Sequence, residues 1–194
     1  MIAIYHLMKK DIMMKKVSII SNKDLIKKRL MFSIAEDSYF LTYNIILILG
    51  GLNCINNKYL KDLNKIALLV TIIEKHRNIE VVNKILDDKK INFDDKKILF
   101  DMYYNSKLRR RSVTSIVFTL DKKGIVKIKK NRKTIDISLN ENKVYDKFIE
   151  SCIFKDDTEV YEKIFLKIGK FKNIISSTFD SIIFKDIKEE VCHI

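Results

Sequence analysis

Lysine and arginine are concentrated between residues 105 and 133, where their charge could bind phosphates or an acidic protein surface. This run holds eleven basic residues and one acid, Asp121, so it carries ten of the thirteen net positive charges of the chain. Its basic members are Lys107, Arg109, Arg110, Arg111, Lys122, Lys123, Lys127, Lys129, Lys130, Arg132 and Lys133. Residues 1–30 hold another +6, residues 31–104 are neutral and residues 134–194 sum to −3. Because the charge is concentrated in parts of the chain rather than spread evenly, it indicates a binding partner.

Residues that could perform catalysis are scattered along the chain and do not form motifs. His6, His76 and His193 have no metal-ligand spacing to Cys, His or acidic residues, apart from the adjacent Cys192. The pair Gly50 and Gly51 lacks the Lys-Ser/Thr of a phosphate loop, and no serine lies in a nucleophile-elbow motif. We therefore expect no catalytic residue, no metal site and no cofactor, and we interpret the chain as a binding subunit.

Charge and periodicity suggest three regions, because the chain has no Gly/Ser-rich linker and no internal repeat. We expect a basic N-terminal arm over residues 1–35, a helical core over residues 36–143 and a C-terminal helical segment over residues 144–194. The hydrophobic content of 47% is that of a folded protein rather than a disordered one. The three cysteines are odd in number and widely spaced, so we expect no disulfides and a cytoplasmic location.

The uncharged stretch from Ser38 to Asn57 has about the length of a membrane span. Asparagines and glycines interrupt it, and its strongly apolar part covers only Tyr39 to Leu49. A buried helix over residues 39–49 is therefore favoured over a span, with Asp37 or Ser38 as its N-cap and Gly50 and Gly51 as its stop. A membrane-attached protein is the least favoured class.

The elements that carry the basic run follow the order of a winged helix. Apolar periodicity predicts a central helix over residues 59–75, then helices over 79–86, 94–106 and 112–122, the last ended by Gly124. Alternating residues predict two strands, 125–130 and 134–139, and three further helices are expected over 144–154, 158–168 and 171–184. The predicted fold class is α+β and mainly helical, with a central winged helix and a two-stranded basic wing.

The predicted helix 112–122 presents two faces. Its apolar residues Val113, Ile116, Val117 and Leu120 recur at helical spacing and mark the buried face. The opposite face holds Arg111, Ser115, Phe118 and Lys122.

Three interpretations of this outward face stay open. In a DNA-binding protein it would contact bases and phosphates, together with Arg109, Arg110 and the wing residues Lys127, Lys129, Lys130, Arg132 and Lys133. A purely solvated basic face is the simpler interpretation. An outward phenylalanine, Phe118, instead favours docking into a protein partner.

Residues 36–140 resemble the small middle component of bacterial three-component systems built around an SMC-like ABC ATPase, of which Lamassu-type anti-phage systems are examples. The resemblance lies in an uncharged helix (YFLTYNIILILGGL), a long central helix (YLKDLNKIALLVTIIEK) and the run from Ile98 to Asn140. It implies a non-enzymatic cytoplasmic subunit that bridges the coiled-coil ATPase and an effector such as a nuclease. The alternative is a winged-helix transcription regulator or plasmid replication protein that binds DNA.

Overall fold

In a computed structural model of the chain, the structure describes residues 38–140 and 155–187. The N-terminal arm, the candidate cap Asp37 and the helix predicted over 144–154 lie outside the described residues. The helices are α1 (Ser38–Gly51), α2 (Lys65–Ile73), α3 (His76–Leu86), α4 (Phe93–Lys122), α5 (Lys155–Ile168) and α6 (Ser176–Ile183), with 3₁₀ turns at Gly169–Phe171 and Lys185–Ile187. The strands are β1 (Val126–Lys130) and β2 (Ile135–Leu139), which pair antiparallel. A mainly helical α+β fold is therefore confirmed, whereas the winged helix stays a prediction.

Helices α1 and α2 form the centre of the core. Every residue of α2 is buried, as expected of a helix whose apolar residues surround its axis. Most of α1 is also buried within the protein, including Asn44, whose amide donates a hydrogen bond to the carbonyl of Phe40. The helix predicted over 39–49 is thus confirmed, but it extends to Gly51, so the prediction that Gly50 and Gly51 stop it is wrong. The residue with positive φ that follows the helix is Asn53. Among the described residues, no helix is both long and apolar enough to cross a membrane.

The chain before α2 is extended, so the prediction that a helix starts at residue 59 is wrong. Leu60 exchanges two backbone hydrogen bonds with Ile137 of β2, and the amide of Leu63 donates to the carbonyl of Ile135. This segment therefore covers the free edge of β2, which would otherwise expose unpaired backbone groups. Pairing with a strand more than seventy residues away outweighs the local helical periodicity.

Helix α4 runs without a break for 30 residues, so the separate helices predicted over 94–106 and 112–122 are one element. Its start is fixed by a capping box, in which the side chains of Asn92 and Asp95 each accept the other's backbone N–H. Residues 107–111 consist of Lys, Leu and Arg, which favour helix, and contain neither Gly nor Pro to end one. Gly124, whose φ of +69° disfavours other residues, follows the helix end as predicted.

The hairpin formed by β1 and β2 agrees with the prediction to within one residue, because each strand begins one residue later than predicted. Val126 lies opposite Leu139 and Ile128 opposite Ile137, so these apolar side chains share the core face of the sheet. Lys127 and Lys129 lie on the other face, opposite Ser138 and Asp136. The alternation predicted for β2 fails at Ser138, which is fully buried and donates its hydroxyl to backbone carbonyls.

The C-terminal elements pack against α1, α3 and α4. The helix predicted over 158–168 is observed as α5, but the one predicted over 171–184 is shorter, because residues 172–175 interrupt it before α6.

Two polar side chains of the core, Lys65 and Asp62, form hydrogen bonds with the C-terminal region. The ammonium group of Lys65 donates to the carbonyls of Phe171 and Lys172, and Asp62 accepts from the amide of Ser176.

Candidate interaction surfaces

The first part of the basic run is engaged within the chain. The guanidinium group of Arg109 forms two hydrogen bonds to the carboxylate of Glu74, which follows α2. Lys107 and Arg110 both contact the carboxylate of Asp180 in α6, at 2.9 and 3.3 Å. These ion pairs attach α4 to the α2 and α6 regions. Sequence reasoning treated Arg109 and Arg110 as contacts for a partner and did not anticipate this structural role.

The outward face of α4 is longer than the sequence suggested. Arg111, Ser115 and Lys122 are exposed and Phe118 is half-buried. On the other side Val113, Val117 and Leu120 are buried and Ile116 is half-buried against the core, which agrees with the predicted phase of the helix. Because α4 is continuous, the same face also includes Tyr104, 43% exposed, and Leu108, 76% exposed. We call these six residues the outer stripe: Tyr104, Leu108, Arg111, Ser115, Phe118 and Lys122.

The outer stripe has the spacing of a coiled-coil seam. Its members are separated by four, three, four, three and four residues, which is the alternation of a and d positions in heptads. At 1.5 Å per residue the stripe is about 27 Å long. The sequence already contains this spacing, which continues from Arg111 back through Leu108 to Tyr104. The sequence analysis missed it because it predicted two helices separated at residues 107–111. A second helix could pack along such a face.

Part of the outer stripe borders a shallow depression of about 350 Å³. Its walls are formed by Arg110, Arg111, Thr114, Ser115 and Phe118. Phe118 and the two arginines line the same depression, so it combines an apolar side chain with positive charge. An apolar side chain next to a carboxylate would fit this chemistry.

The hairpin carries the second group of predicted residues, and all of them are exposed. Lys127 donates to the side-chain carbonyl of Asn57 at 2.8 Å, and the ammonium group of Lys129 lies 5.7 Å from the ring centroid of Tyr59. The remaining members are Lys130, the last residue of β1, and Arg132 and Lys133 in the turn. Within residues 38–140 and 155–187, no carboxylate oxygen lies within 4.0 Å of these five cations.

Three buried titratable groups, Asp62, Lys65 and Cys54, have pKa values shifted by their surroundings in the core. Burial lowers the pKa of Lys65 to about 8, although the carboxylate of Asp62 opposes this shift. Burial alone would raise the pKa of Asp62, but hydrogen bonds from Ser176 and Asn64 outweigh it, and the pKa is lower than usual. Burial raises the pKa of the Cys54 thiol, which favours the unreactive protonated form. In the described part of the chain, no three His, Cys, Asp or Glu side chains are grouped to hold a metal ion.

Comparison with known proteins gave no match: no family model, no curated protein and no solved structure is significantly similar to this chain. The site is therefore interpreted from its own geometry. It consists of two surfaces, the outer stripe of α4 and the cations of the hairpin.

Proposed function

We propose that the chain is a non-catalytic binding subunit that docks onto a helix of another protein through the outer stripe. The observation that carries this proposal is Leu108, which is 76% exposed in the middle of the longest helix. Single exposed leucines are common, but here Tyr104 and Phe118 extend the apolar surface along the same face. A rigid helix that presents aromatic and aliphatic anchors is typical of a protein-binding surface.

The heptad spacing defines the chemistry of the partner. A helix packed along the stripe would place its own apolar residues against Tyr104, Leu108 and Phe118. Opposite Arg111 and Lys122 it would need carboxylates, because an unpaired cation buried in the contact is costly. The partner we propose is therefore an amphipathic helix with an acidic margin.

This partner agrees with the subunit role that the sequence resemblance implies. The coiled-coil arms of an SMC-like ATPase contain long helices with heptad repeats, which are the shape that the outer stripe fits. In this proposal the chain links such an ATPase to an effector, for example a nuclease, in a bacterial anti-phage system.

The alternative function, a DNA-binding regulator, would use the same helix to contact bases in the major groove. It has less support because Arg109 and Arg110 already bind Glu74 and Asp180, which leaves Arg111 as the exposed arginine of that group. Site-specific DNA binding that is lost in an Arg111→Ala variant would favour the regulator.

The experiment compares two leucines of equal exposure on different helices. Leu108 and Leu166 are both 76% exposed, so replacing either by Glu should leave the fold intact. The chain is co-expressed with the ATPase and effector candidates encoded by neighbouring genes, and complexes are recovered through a tag on the chain. We expect Leu108→Glu to release the partner and Leu166→Glu to retain it. Equal recovery of the partner with both variants would contradict the proposal.

Self-association is separated from partner binding by the mass of the purified chain. If two copies paired through the outer stripe, the chain alone would be a dimer and Leu108→Glu would convert it to a monomer. The proposal expects a monomer in both cases.

A further inference from the structure

The outward face of the hairpin is a second surface, distinct from the outer stripe. Residues 56–61 run along the free edge of β2, and β1 pairs with its other edge. Lys127 and Lys129 extend from β1 toward this added segment, where Asn57 and Tyr59 contact them. These contacts hold two lysines in place on one face. We call Lys127 and Lys129, together with Arg132 and Lys133 at the turn, the basic sheet face.

Among the described residues, no carboxylate forms an ion pair with the cations of the basic sheet face. The acid of the hairpin, Asp136, accepts hydrogen bonds from Asn131, Thr134 and the backbone of Asp62. It is therefore held by the turn and the edge segment, and it makes no ion pair with Lys129, its partner across the ladder. By contrast, Lys107, Arg109 and Arg110 of α4 each bind a carboxylate. Arg111, Lys122 and Lys123 of α4 and its C-cap are also exposed, but the hairpin holds the larger group of solvent-exposed cations in the basic run.

The composition of this face distinguishes between possible partners. None of the large hydrophobic residues that are exposed in residues 38–140 and 155–187 belongs to the hairpin or to the segment 56–61. Protein interfaces need apolar anchors and contain few lysines, so a protein partner fits the outer stripe better than the hairpin. Phosphates bind lysine and arginine without requiring apolar contact. Lys127 and Lys129 are two residues apart on one strand, about 7 Å, which suits successive phosphates of a nucleic-acid strand.

We propose that the basic sheet face binds the phosphate backbone of double-stranded DNA without sequence preference. This inference goes beyond the proposed function, because it assigns a second ligand to a surface that the docking helix does not use. The face would hold the duplex beside the partner bound at the outer stripe. Tyr59 serves to position Lys129, whose ammonium group it contacts.

The test measures how binding of the full chain to a fluorescent DNA duplex of arbitrary sequence depends on salt. Each phosphate contact contributes about 0.9 to the slope of log K against log salt concentration. In the variant Lys127→Gln/Lys129→Gln/Arg132→Gln the slope should therefore flatten by about three, and affinity at 0.1 M salt should fall roughly a hundredfold. A second duplex of unrelated sequence should give the same values.

Two further variants complete the design. Lys75→Gln/Lys90→Gln/Lys97→Gln removes the same charge from exposed positions outside the sheet, and its slope should stay close to that of the wild type. Arg132→Gln/Lys133→Gln changes only the turn and should flatten the slope by about two.

Three outcomes would overturn this inference. The first is an unchanged slope in the sheet variants, and the second is equal flattening in the control triple, which would indicate a general charge effect. The third is binding to phosphatidylserine vesicles with the same dependence on the sheet cations while the duplex is not bound. Since the sheet variants retain Leu108, they should still recover the protein partner. Failure of DNA binding can therefore be distinguished from failure of the docking proposal.

Discussion

Replacing Gly51, the last residue of α1, by alanine is expected to destabilise the protein. A Cβ atom built on Gly51 would lie less than 3.0 Å from two atoms of the Phe165 ring, closer than Cβ atoms approach other atoms in real structures. Phe165 belongs to the core and is only 4% exposed, so its ring has little room to move away. The glycine therefore lets α1 and α5 pack closely, a role that its helical position alone does not reveal.

The magnitude follows from two opposing effects. Replacing glycine by alanine inside a helix stabilises by up to about 1 kcal/mol, and by less at the last residue. Inserting a methyl group into a packed site costs about 1–3 kcal/mol. Gly51→Ala should therefore lower the free energy of unfolding by about 1–2 kcal/mol, which corresponds to a fall in Tm of roughly 3–6 °C for a chain of this size.

Urea and thermal unfolding of three variants test this reasoning. Gly169→Ala is the control, because no atom lies within 4 Å of its added Cβ, and it should change stability by less than about 0.5 kcal/mol. Phe165→Leu removes part of the ring, so adding Gly51→Ala to that variant should cost about 1 kcal/mol less than it does in the wild type. A stabilising Gly51→Ala, or strict additivity of the two changes, would refute the proposed contact.

Three further predictions concern buried and half-buried groups. Because the pKa of Lys65 is about 8 in the folded state, the folded protein binds fewer protons than the unfolded protein between pH 8 and 10.5. Over this range the free energy of unfolding, measured in urea, should rise by up to about 3 kcal/mol relative to that of a Lys65→Met variant. A difference in stability between the two proteins that does not change with pH would contradict a lowered pKa for Lys65. Arg109→Ala should cost about 2 kcal/mol, because it leaves Glu74 partly buried without its partner, whereas Arg111→Ala should cost less than about 0.5 kcal/mol; equal effects would contradict the structural role. Phe118→Ala should cost about 1 kcal/mol, well below the value for a core phenylalanine, and a larger loss of Tm would mean that Phe118 belongs to the core.

The elements predicted correctly are those determined by local signals. Alternating residues and Gly124 were sufficient to locate the hairpin, because strand periodicity and a residue with positive φ both act over a few positions. The apolar run of α1 and the all-round burial of α2 were likewise visible in composition. Phase within α4 followed from the spacing of Val113, Val117 and Leu120.

The predictions failed where contacts with residues distant in sequence determine the local structure. The residues before α2 are extended because β2 needs a neighbour at its edge, and that strand lies more than seventy residues away in sequence. The cluster at 107–111 suggested a break between helices, but Glu74 and Asp180 neutralise much of its charge and hold it within α4. The mistaken break then hid Tyr104 and Leu108 from the candidate surface. Sequence reasoning therefore found the C-terminal two thirds of the outer stripe and missed its most exposed apolar member, Leu108.

A photo-crosslinking scan along α4 tests the docking proposal most directly. A crosslinking amino acid is introduced at each exposed or half-buried position from Tyr104 to Lys122 in the complex with the ATPase component, and crosslinked product is quantified at each position. Packing of a partner helix along the outer stripe predicts strong crosslinks at 104, 108, 111, 115, 118 and 122, with weak ones between them. Crosslinks without this three-and-four spacing, or their absence from residue 108, would contradict the account.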